Sequence, residues 1–365
     1  MKITALFGTR PETIKLAPFI HEGKSRGHDV NVIFTGQHRQ MALPLLNLFD
    51  IVPDVDLNIM RENQTLVSMS SLLLETLNAN PALRNTDALI VQGDTTSAFV
   101  GAYWAFLNKI PVIHLEAGLR TNDIMSPFPE EANRQLISRI AKIHLAPTDD
   151  ALKALAKEGV VENAYNIGNT GLDALRIVSD KVPLGDLPQE FKTFISDKRF
   201  VLITSHRREN FGEGMQNIAK AIRTLALKHS DVQFIFPVHL NPNVKSVMES
   251  ELAEISNLLM SSPLDYPTFV ILMKHASAIL TDSGGVQEEA PTFRVPIVVM
   301  RESTERPEGV EKKFSTLVGT DSEKIISAID HALEFGSQGV GNNPYGDGFS
   351  SKKAWDILTR RGVIL

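Results

Sequence analysis

Six short polar clusters, each set directly after an apolar run that reads as a strand, constrain this chain more than any other feature. The runs are residues 3–7, 88–91, 112–115, 200–204, 278–280 and 295–300. The clusters are Gly8-Thr9-Arg10-Pro11-Glu12, Gln92-Gly93-Asp94-Thr95, Glu116-Ala117-Gly118-Leu119-Arg120, His206-Arg207-Arg208-Glu209-Asn210, Asp282-Ser283-Gly284-Gly285 and Thr304-Glu305-Arg306-Pro307-Glu308. Strands apolar on both faces belong to parallel sheets covered by helices. In such sheets ligands bind outside the carboxyl ends of the strands, where the strand-to-helix loops gather. Fixed charges at so many strand ends predict one polar, anion-handling cleft. Satisfied loop caps would explain any single cluster, but six in register are harder to explain that way.

Length and composition narrow the class. A chain of 365 residues is too long for one ordinary core, so two α/β domains are expected. The net charge is −6 and the basic residues are scattered, which argues against nucleic acid as a partner. With no cysteine, the chain has no disulfide, thiolate metal site or cysteine nucleophile, and it suits a reducing cytoplasm. The apolar run ahead of Arg10 is too short for a signal peptide. The longest apolar stretch, 98–107, is about half of a membrane span and reads as a buried helix. A soluble cytoplasmic protein with no membrane partner is the expectation.

Along the first half, strands at 2–7, 30–35, 88–91, 112–115 and 143–146 alternate with helices at 11–25, 39–49, 65–78, 97–107 and from about 148 to 159. Residues 182–191, with two prolines and a glycine, read as a loop beside a domain boundary. The pattern restarts with strands at 200–204, 233–237, 278–281, 295–300 and 316–318 and helices at 215–228, 243–254 and 322–335. A last helix at 351–361 follows a Gly/Asn/Pro-rich stretch and is expected to cross back to the first domain.

The chemistry-bearing residues divide by type. Gly284 and Gly285 after Ser283 let a backbone approach an anion at a helix start. Neither G-x-G-x-x-G nor G-x-x-x-x-G-K-[ST] occurs, which speaks against nicotinamide, flavin and triphosphatase sites. Arg10 and Lys15 offer a planar fork and a mobile point charge suited to a diphosphate. His206, among Arg207, Arg208 and Glu209, is placed to meet phosphate or move a proton. Asp94, Glu116 and Glu130 sit on separate loops of the first half and could divide acid and base roles, or be caps and loop ion pairs. No zinc-ligand spacing, H-E-x-x-H or Gly-x-Ser-x-Gly is present.

Taken in order, Phe7-Gly8-Thr9-Arg10-Pro11-Glu12-Thr13-Ile14-Lys15, Gln92-Gly93-Asp94-Thr95, His114-Leu115-Glu116-Ala117-Gly118-Leu119-Arg120 and Pro127-Phe128-Pro129-Glu130-Glu131-Ala132-Asn133-Arg134 resemble the non-hydrolysing UDP-N-acetylglucosamine 2-epimerases. The later clusters, down to Asn343-Pro344-Tyr345-Gly346-Asp347-Gly348, continue the resemblance over essentially the whole chain. It implies an α/β fold of two Rossmann-like domains of the glycosyltransferase-B type, with the active site in the interdomain cleft. Residues 1–170, completed by a C-terminal helix at 349–365, would form the first domain, and 171–348 the UDP-binding domain. The implied reaction interconverts UDP-N-acetylglucosamine and UDP-N-acetylmannosamine through 2-acetamidoglucal, without metal or redox cofactor, in a homodimer.

By the same resemblance, Asp94, Glu116, Glu130 and His206 are catalytic, and Arg10, Lys15, Ser283, Gly284, Gly285 and Arg306 contact UDP. Glu289 would hold the ribose, and Phe269 matches an aromatic position near the uracil. Gln37, His38, Gln40, Arg207 and His239 resemble a site at which a second UDP-N-acetylglucosamine acts as activator. The rival readings are a hydrolysing epimerase, an epimerase of a UDP-diacetamido uronic acid, a glycosyltransferase of the same architecture, and a silent nucleotide-sugar binding module.

Overall fold

The computed structural model describes residues 1–61, 63–238 and 242–360. It divides into two compact units, Met1–Ala174 with Tyr345–Leu365, and Leu175–Pro344.

Unit 1 begins β1 (Lys2–Phe7), α1 (Arg10–Ser25), β2 (Asp29–Phe34), α2 (Arg39–Leu48), β3 (Val55–Asp56) and α3 (Leu66–Asn78). It continues β4 (Ala88–Gln92), α4 (Thr96–Leu107), β5 (Val112–Leu115), α5 (Glu130–Ile140), β6 (Ile143–Ala146), α6 (Asp149–Lys157) and β7 (Ala164–Asn166). Helix α7 (Thr170–Lys181) spans the division. Unit 2 begins α8 (Gln189–Ile195), β8 (Phe200–Thr204), α9 (Glu213–Lys228), β9 (Gln233–Pro237), α10 (Pro242–Glu251) and β10 (Leu258–Ser261). It continues α11 (Tyr266–His275), β11 (Ala278–Thr281), α12 (Gly284–Glu289), β12 (Ile297–Val299), α13 (Pro307–Glu311), β13 (Ser315–Leu317) and α14 (Ser322–Phe335). Helix α15 (Ser350–Leu358) returns to unit 1. The end of the expected C-terminal helix, residues 361–365, lies outside the described residues.

The sheet orders are β3-β2-β1-β4-β5-β6-β7 and β10-β9-β8-β11-β12-β13. Every pairing is parallel; Ala5, for example, lies between Val32 and Ile90. In each sheet the order reverses beside the first strand, between β1 and β4 in unit 1 and between β8 and β11 in unit 2. Such a reversal opens a crevice at the strand ends.

Burial of the apolar runs explains the sheets. Unit 1 packs Leu6, Leu73, Val91, Trp104 and Ile137 into one core, and unit 2 packs Ile203, Ile222, Phe234, Leu280 and Ile325 into another. Caps set the helix starts: Thr95 accepts from the Ala98 amide, Thr148 from Ala151, and Asp265 from Thr268.

Several elements differ from the sequence reading. Helix α4 is buried at eight of its twelve positions, as read, but keeps an outward edge, because a helix lying on a sheet face turns one side to solvent; Tyr103, Phe106 and Leu107 are exposed. Helix α8 occupies part of the stretch read as a loop. The strands β3, β7 and β10 carry no fully buried residue; β3 and β7 are short and partly polar, and β10 is a brief apolar run, Leu258-Leu259-Met260, absent from the sequence reading.

Helix α15 is pinned to unit 1. The Trp355 indole stacks 4.8 Å from the Phe19 ring and donates from Nε1 to the Phe19 carbonyl at 2.8 Å. A Cβ at Gly23 would meet that indole at 2.2 Å, so only glycine fits there. Asp173 accepts the amides of Ser350 and Ser351 at 3.0 and 2.7 Å and caps the helix. Among the described residues no helix is long and apolar enough to cross a membrane, and no group of His, Asp and Glu is placed to hold a metal ion.

Candidate active site

All six clusters follow their strands, and they fall three to a unit at adjacent strand ends: β1, β4 and β5 in unit 1, and β8, β11 and β12 in unit 2.

In unit 1, the loop after β1 needs glycine at position 8, because a Cβ there would lie 1.8 Å from Thr35 Oγ1. Glu12, fully buried, turns back beneath that loop. One carboxylate oxygen accepts the Gly8 and Thr9 amides at 3.0 and 2.8 Å, and the other accepts the Thr95 hydroxyl at 2.7 Å. This carboxylate therefore joins the β1 and β4 loops across the sheet reversal. Burial pushes its pKa above the ordinary range, although these hydrogen bonds oppose the shift.

Glu116 adopts a left-handed backbone, φ 65°, directly after β5. Lys15, on α1, and Gln92, at the end of β4, both donate to its carboxylate. Left-handed backbone in a non-glycine residue is costly and concentrates at functional sites. Beneath it, the buried His114 bonds through Nε2 to the Gly93 carbonyl at 2.7 Å, which requires the proton on that nitrogen. Burial takes His114 down to about 3, so it is a neutral support for the Gly93 turn.

Asp94 is held by Arg134, Oδ2 to the guanidinium at 2.7 Å, and its carbonyl accepts from Asn133 Nδ2 at 2.8 Å. Arg134 also pairs with the fully buried Glu131 at 3.0 Å. Burial would raise Glu131, but Gln135, the Thr121 amide and Arg134 outweigh it and hold the carboxyl below its ordinary range. Glu130 is not on a strand-end loop: it is the first residue of α5, and its Oε2 is buried without a partner among the described residues. The helix was hidden from sequence by the Pro127-Phe128-Pro129 run at its start. With it unread, Glu131 and Arg134 entered only as letters of a motif, and their pairing carried no signal.

Unit 2 is organised around Asp282, also fully buried. Its Oδ2 accepts from Ser205 Oγ at 3.1 Å, the His206 and Arg207 amides at 2.9 Å each, and Asn210 Nδ2 at 3.1 Å. Its Oδ1 lies 3.2 Å from His206 Nδ1. Burial would raise its pKa, but the His206 ring and the two amides win and hold it below the ordinary aspartate range. Nδ1 is thus the nitrogen committed to the protein, and Nε2 is the one turned from Asp282.

Gly284 and Gly285 are the first two residues of α12, with Ser283 as its cap position. A Cβ on Gly284 would lie 2.5 Å from the Arg306 guanidinium carbon, so this glycine brings the cation onto the helix start. Glu288 holds Arg306 from the other side at 2.6 Å. Behind it, Arg301 pairs with Glu209 at 2.7 Å and with both oxygens of Glu305 at 2.7 and 3.1 Å. The Arg301 hydrogen bonds, opposed by burial, take Glu305 down to about 2. Glu289 ends α12, and Phe269 lies half-buried on α11.

The remaining candidates are dispersed. Gln37 Oε1 accepts the Ser97 hydroxyl at 2.8 Å, while His38 and Gln40 are exposed. Arg207 sits beside His206, and His239 lies outside the described residues.

Comparison with known proteins places the chain. The family model described as UDP-N-acetylglucosamine 2-epimerase matches residues 21–359. A UDP-N-acetylglucosamine 2-epimerase of Salmonella typhimurium is 43% identical over 376 residues, covering 100% of both chains. One from Campylobacter jejuni is 45% identical, covering 98% of this chain and 97% of that protein. The crystal structure of UDP-GlcNAc 2-epimerase from Neisseria meningitidis bound to UDP-GlcNAc superposes with a TM-score of 0.86 at 40% identity, covering 98% of this chain and 99% of that one. A full-length match at this identity, on the same pair of parallel sheets, establishes that this chain belongs to the UDP-N-acetylglucosamine 2-epimerase family.

Proposed function

We propose that this chain interconverts UDP-N-acetylglucosamine and UDP-N-acetylmannosamine by eliminating and re-adding UDP. The C2 proton leaves as the C1–O bond to UDP breaks, giving 2-acetamidoglucal and UDP. UDP then re-forms the bond at C1, and a proton returns to the opposite face of C2. The observation that carries this reading is the end-to-end similarity to the Neisseria enzyme whose structure holds UDP-GlcNAc.

The residue inventory supports it. In unit 2, His206, Ser283, Gly284, Gly285 and Arg306 supply hydrogen-bond donors and positive charge for a diphosphate leaving group. Glu289 would accept from ribose hydroxyls, and Phe269 would meet the uracil. In unit 1, Arg10 and Lys15 add cations, and Asp94, Glu116 and Glu130 form the acid–base set, with a contribution on the order of a hundredfold or more to turnover. Lys15 serves two anions in this reading: it already pairs with Glu116, and a bound diphosphate would compete for it.

The test is proton NMR with UDP-N-acetylglucosamine in deuterated water. Deuterium at C2 of both UDP-sugars, with little free sugar, is the expected result. Dominant free N-acetylmannosamine would favour the hydrolysing reaction, and no exchange would favour a silent binding module.

The same reading includes a cytoplasmic homodimer activated by a second UDP-N-acetylglucosamine through Gln37, His38, Gln40 and Arg207. The exposed Tyr103, Phe106 and Leu107 on α4 are apolar surface that a second copy would cover. Sedimentation velocity checks the dimer. A lag in the reverse reaction that added UDP-N-acetylglucosamine removes is the expected sign of activation, and hyperbolic kinetics without stimulation would refute it.

A further inference from the structure

Helix α5 grips residue 94 twice, from two consecutive positions. Asn133, buried, donates from Nδ2 to the Asp94 carbonyl at 2.8 Å. Arg134 holds the side chain: its Nε and one terminal nitrogen both reach Asp94 Oδ2 at 2.7 Å. Asp94 Oδ1 takes no hydrogen bond from the described residues, and the side chain is 24% exposed. The preceding residue is fixed as well, since the buried His114 bonds the Gly93 carbonyl at 2.7 Å. One oxygen of this carboxylate is thus anchored at the end of β4, and the other is left unbonded.

The anchor is itself held. The remaining terminal nitrogen of Arg134 pairs with Glu131 Oε2 at 3.0 Å. Glu131 is fully buried, and it also accepts the Thr121 amide and Gln135 Nε2, each at 3.1 Å. A guanidinium presents its donors as a rigid planar fork, so one arginine serves two carboxylates in fixed directions, whereas a lysine offers one mobile point charge. Burial would lower the Arg134 pKa, but the two carboxylates outweigh it and keep the side chain charged. Arg134 thereby ties Asp94 to the start of α5, where Glu130 lies four residues earlier on the same helix face.

We infer that Arg134 is a positioning residue for the C2 proton transfer: it fixes Asp94 through Oδ2, so that Oδ1 meets the substrate in one orientation. The inference rests on the elimination and re-addition reading above. In that reading the C2–H electron pair becomes the C1=C2 double bond, the C1–O pair leaves with UDP, and the proton passes to a carboxylate. Re-addition reverses these movements, with the proton delivered to the other face of C2. A misplacement of about 1 Å at such a centre costs on the order of a hundredfold in rate. A partly exposed aspartate with a freely rotating carboxylate would spend most of its time misaimed, and Arg134 removes that freedom. The adjacent glutamates then have separate tasks: Glu130 belongs to the acid–base set, and Glu131 never meets the substrate but holds Arg134.

A double-mutant cycle tests this, with Arg134→Met and Asp94→Asn made singly and together in the full chain. Proton NMR in deuterated water gives the rate of C2 exchange at saturating UDP-N-acetylglucosamine, and its concentration dependence gives KM. Arg134→Met should slow exchange by about thirtyfold or more while KM stays within about threefold. Arg134→Lys keeps the charge but not the fork, and should recover only part of that rate. In the Asp94→Asn background, Arg134→Met should cost less than about threefold more, because a residue acting through Asp94 has nothing left to aim. Equal losses in both backgrounds would overturn the inference, since an arginine with a merely structural role acts independently of Asp94. So would unchanged exchange, a rise in KM alone, or full rescue by lysine. Removing Arg134 leaves the buried Glu131 uncompensated, so the cycle is repeated with Glu131→Gln in every arm, and the same coupling is expected there. A parent without C2 exchange would defeat the epimerase reading itself, before any variant is made. Parental exchange in Asp94→Asn would leave that reading standing and overturn the role of Arg134.

Discussion

The two units repeat one strand order, and each closes its reversal point with a single buried carboxylate, but the two carboxylates titrate in opposite directions. In unit 1, Glu12 reaches from α1 to the amides of its own loop and to Thr95 of the β4 loop, and none of these partners is a cation. In unit 2, Asp282 reaches from the fourth strand's end to the first strand's loop, gathering amides, a hydroxyl, a carboxamide and the His206 ring. Desolvation prevails at Glu12 and raises it; hydrogen bonds prevail at Asp282 and lower it. Topology thus decides where loops meet, and the donors gathered there decide which way the carboxylate's pKa moves. Unit 1 goes on to offer carboxylates, and unit 2 offers donors and a cation.

The severest way to break this contrast is Asp282→Asn. The His206 and Arg207 amides both donate to Oδ2, so an amide nitrogen there would face two donors, and a neutral carbonyl in its place would accept them less strongly than the carboxylate. Stability should fall by about 3 kcal/mol, as for a charged buried group losing its partners, and UDP binding should fall with it. Calorimetric unfolding and a UDP titration would show this; an Asp282→Asn variant as stable as the parent would remove Asp282 as the organiser of unit 2.

Glu116→Gln and Glu130→Gln address unit 1. Each should cost at least about a hundredfold in C2 exchange while leaving UDP affinity within about threefold. Equal losses of exchange and affinity would mean that the carboxylates act in nucleotide binding and that the division of labour is wrong.

Gly284→Ala sharpens the unit 2 side. Its Cβ would occupy the place of the Arg306 guanidinium, 2.5 Å away. Because that is the far end of a flexible side chain, folding should change little, while UDP affinity falls about tenfold, the lower end for a lost charge-assisted contact. Unaltered affinity would detach Arg306 from the phosphate.

The smallest effect belongs to Glu12→Gln. A glutamine can accept both amides through its carbonyl and donate to Thr95, so stability near neutrality should move by less than about 1 kcal/mol. The pH dependence should change more. Glu12 titrates above its unfolded value of 4.5, so the folded state binds its proton more tightly and stability falls as pH rises from 4.5 through the folded value. That slope should vanish in the variant. Asp282 has the reverse sign: its contribution is complete above 3.8 and is lost as pH falls through the lowered folded value.

Much of the framework was legible in the residues. Strands β5, β6, β8 and β9 and helix α14 fall at the bounds their apolar runs mark, because strands buried on both faces leave no ambiguity of period. What escaped were elements whose signal lies outside local pattern. Helix α5 starts behind two prolines, and α11 is mostly buried, without a clear polar face. With α5 unread, the Arg134 bridge between Asp94 and Glu131 could not be seen. Gln92 and His114 stood in quoted motifs, but their partners could not be read there, since their roles depend on facing Glu116 and the Gly93 carbonyl.

By itself the sequence determined that six polar clusters stand at the ends of parallel strands in a two-unit α/β protein, and its ordered motifs carried the family. Strand periodicity and turn chemistry are local, so they survive in one dimension. Only the tertiary structure decided which charge faces which: that Lys15 and Gln92 meet at Glu116, that Glu12 and Asp282 stitch the two reversals, and that Arg134 stands between Asp94 and Glu131. Those outcomes depend on burial and on donors brought together from distant positions, and neither quantity exists until the chain has packed.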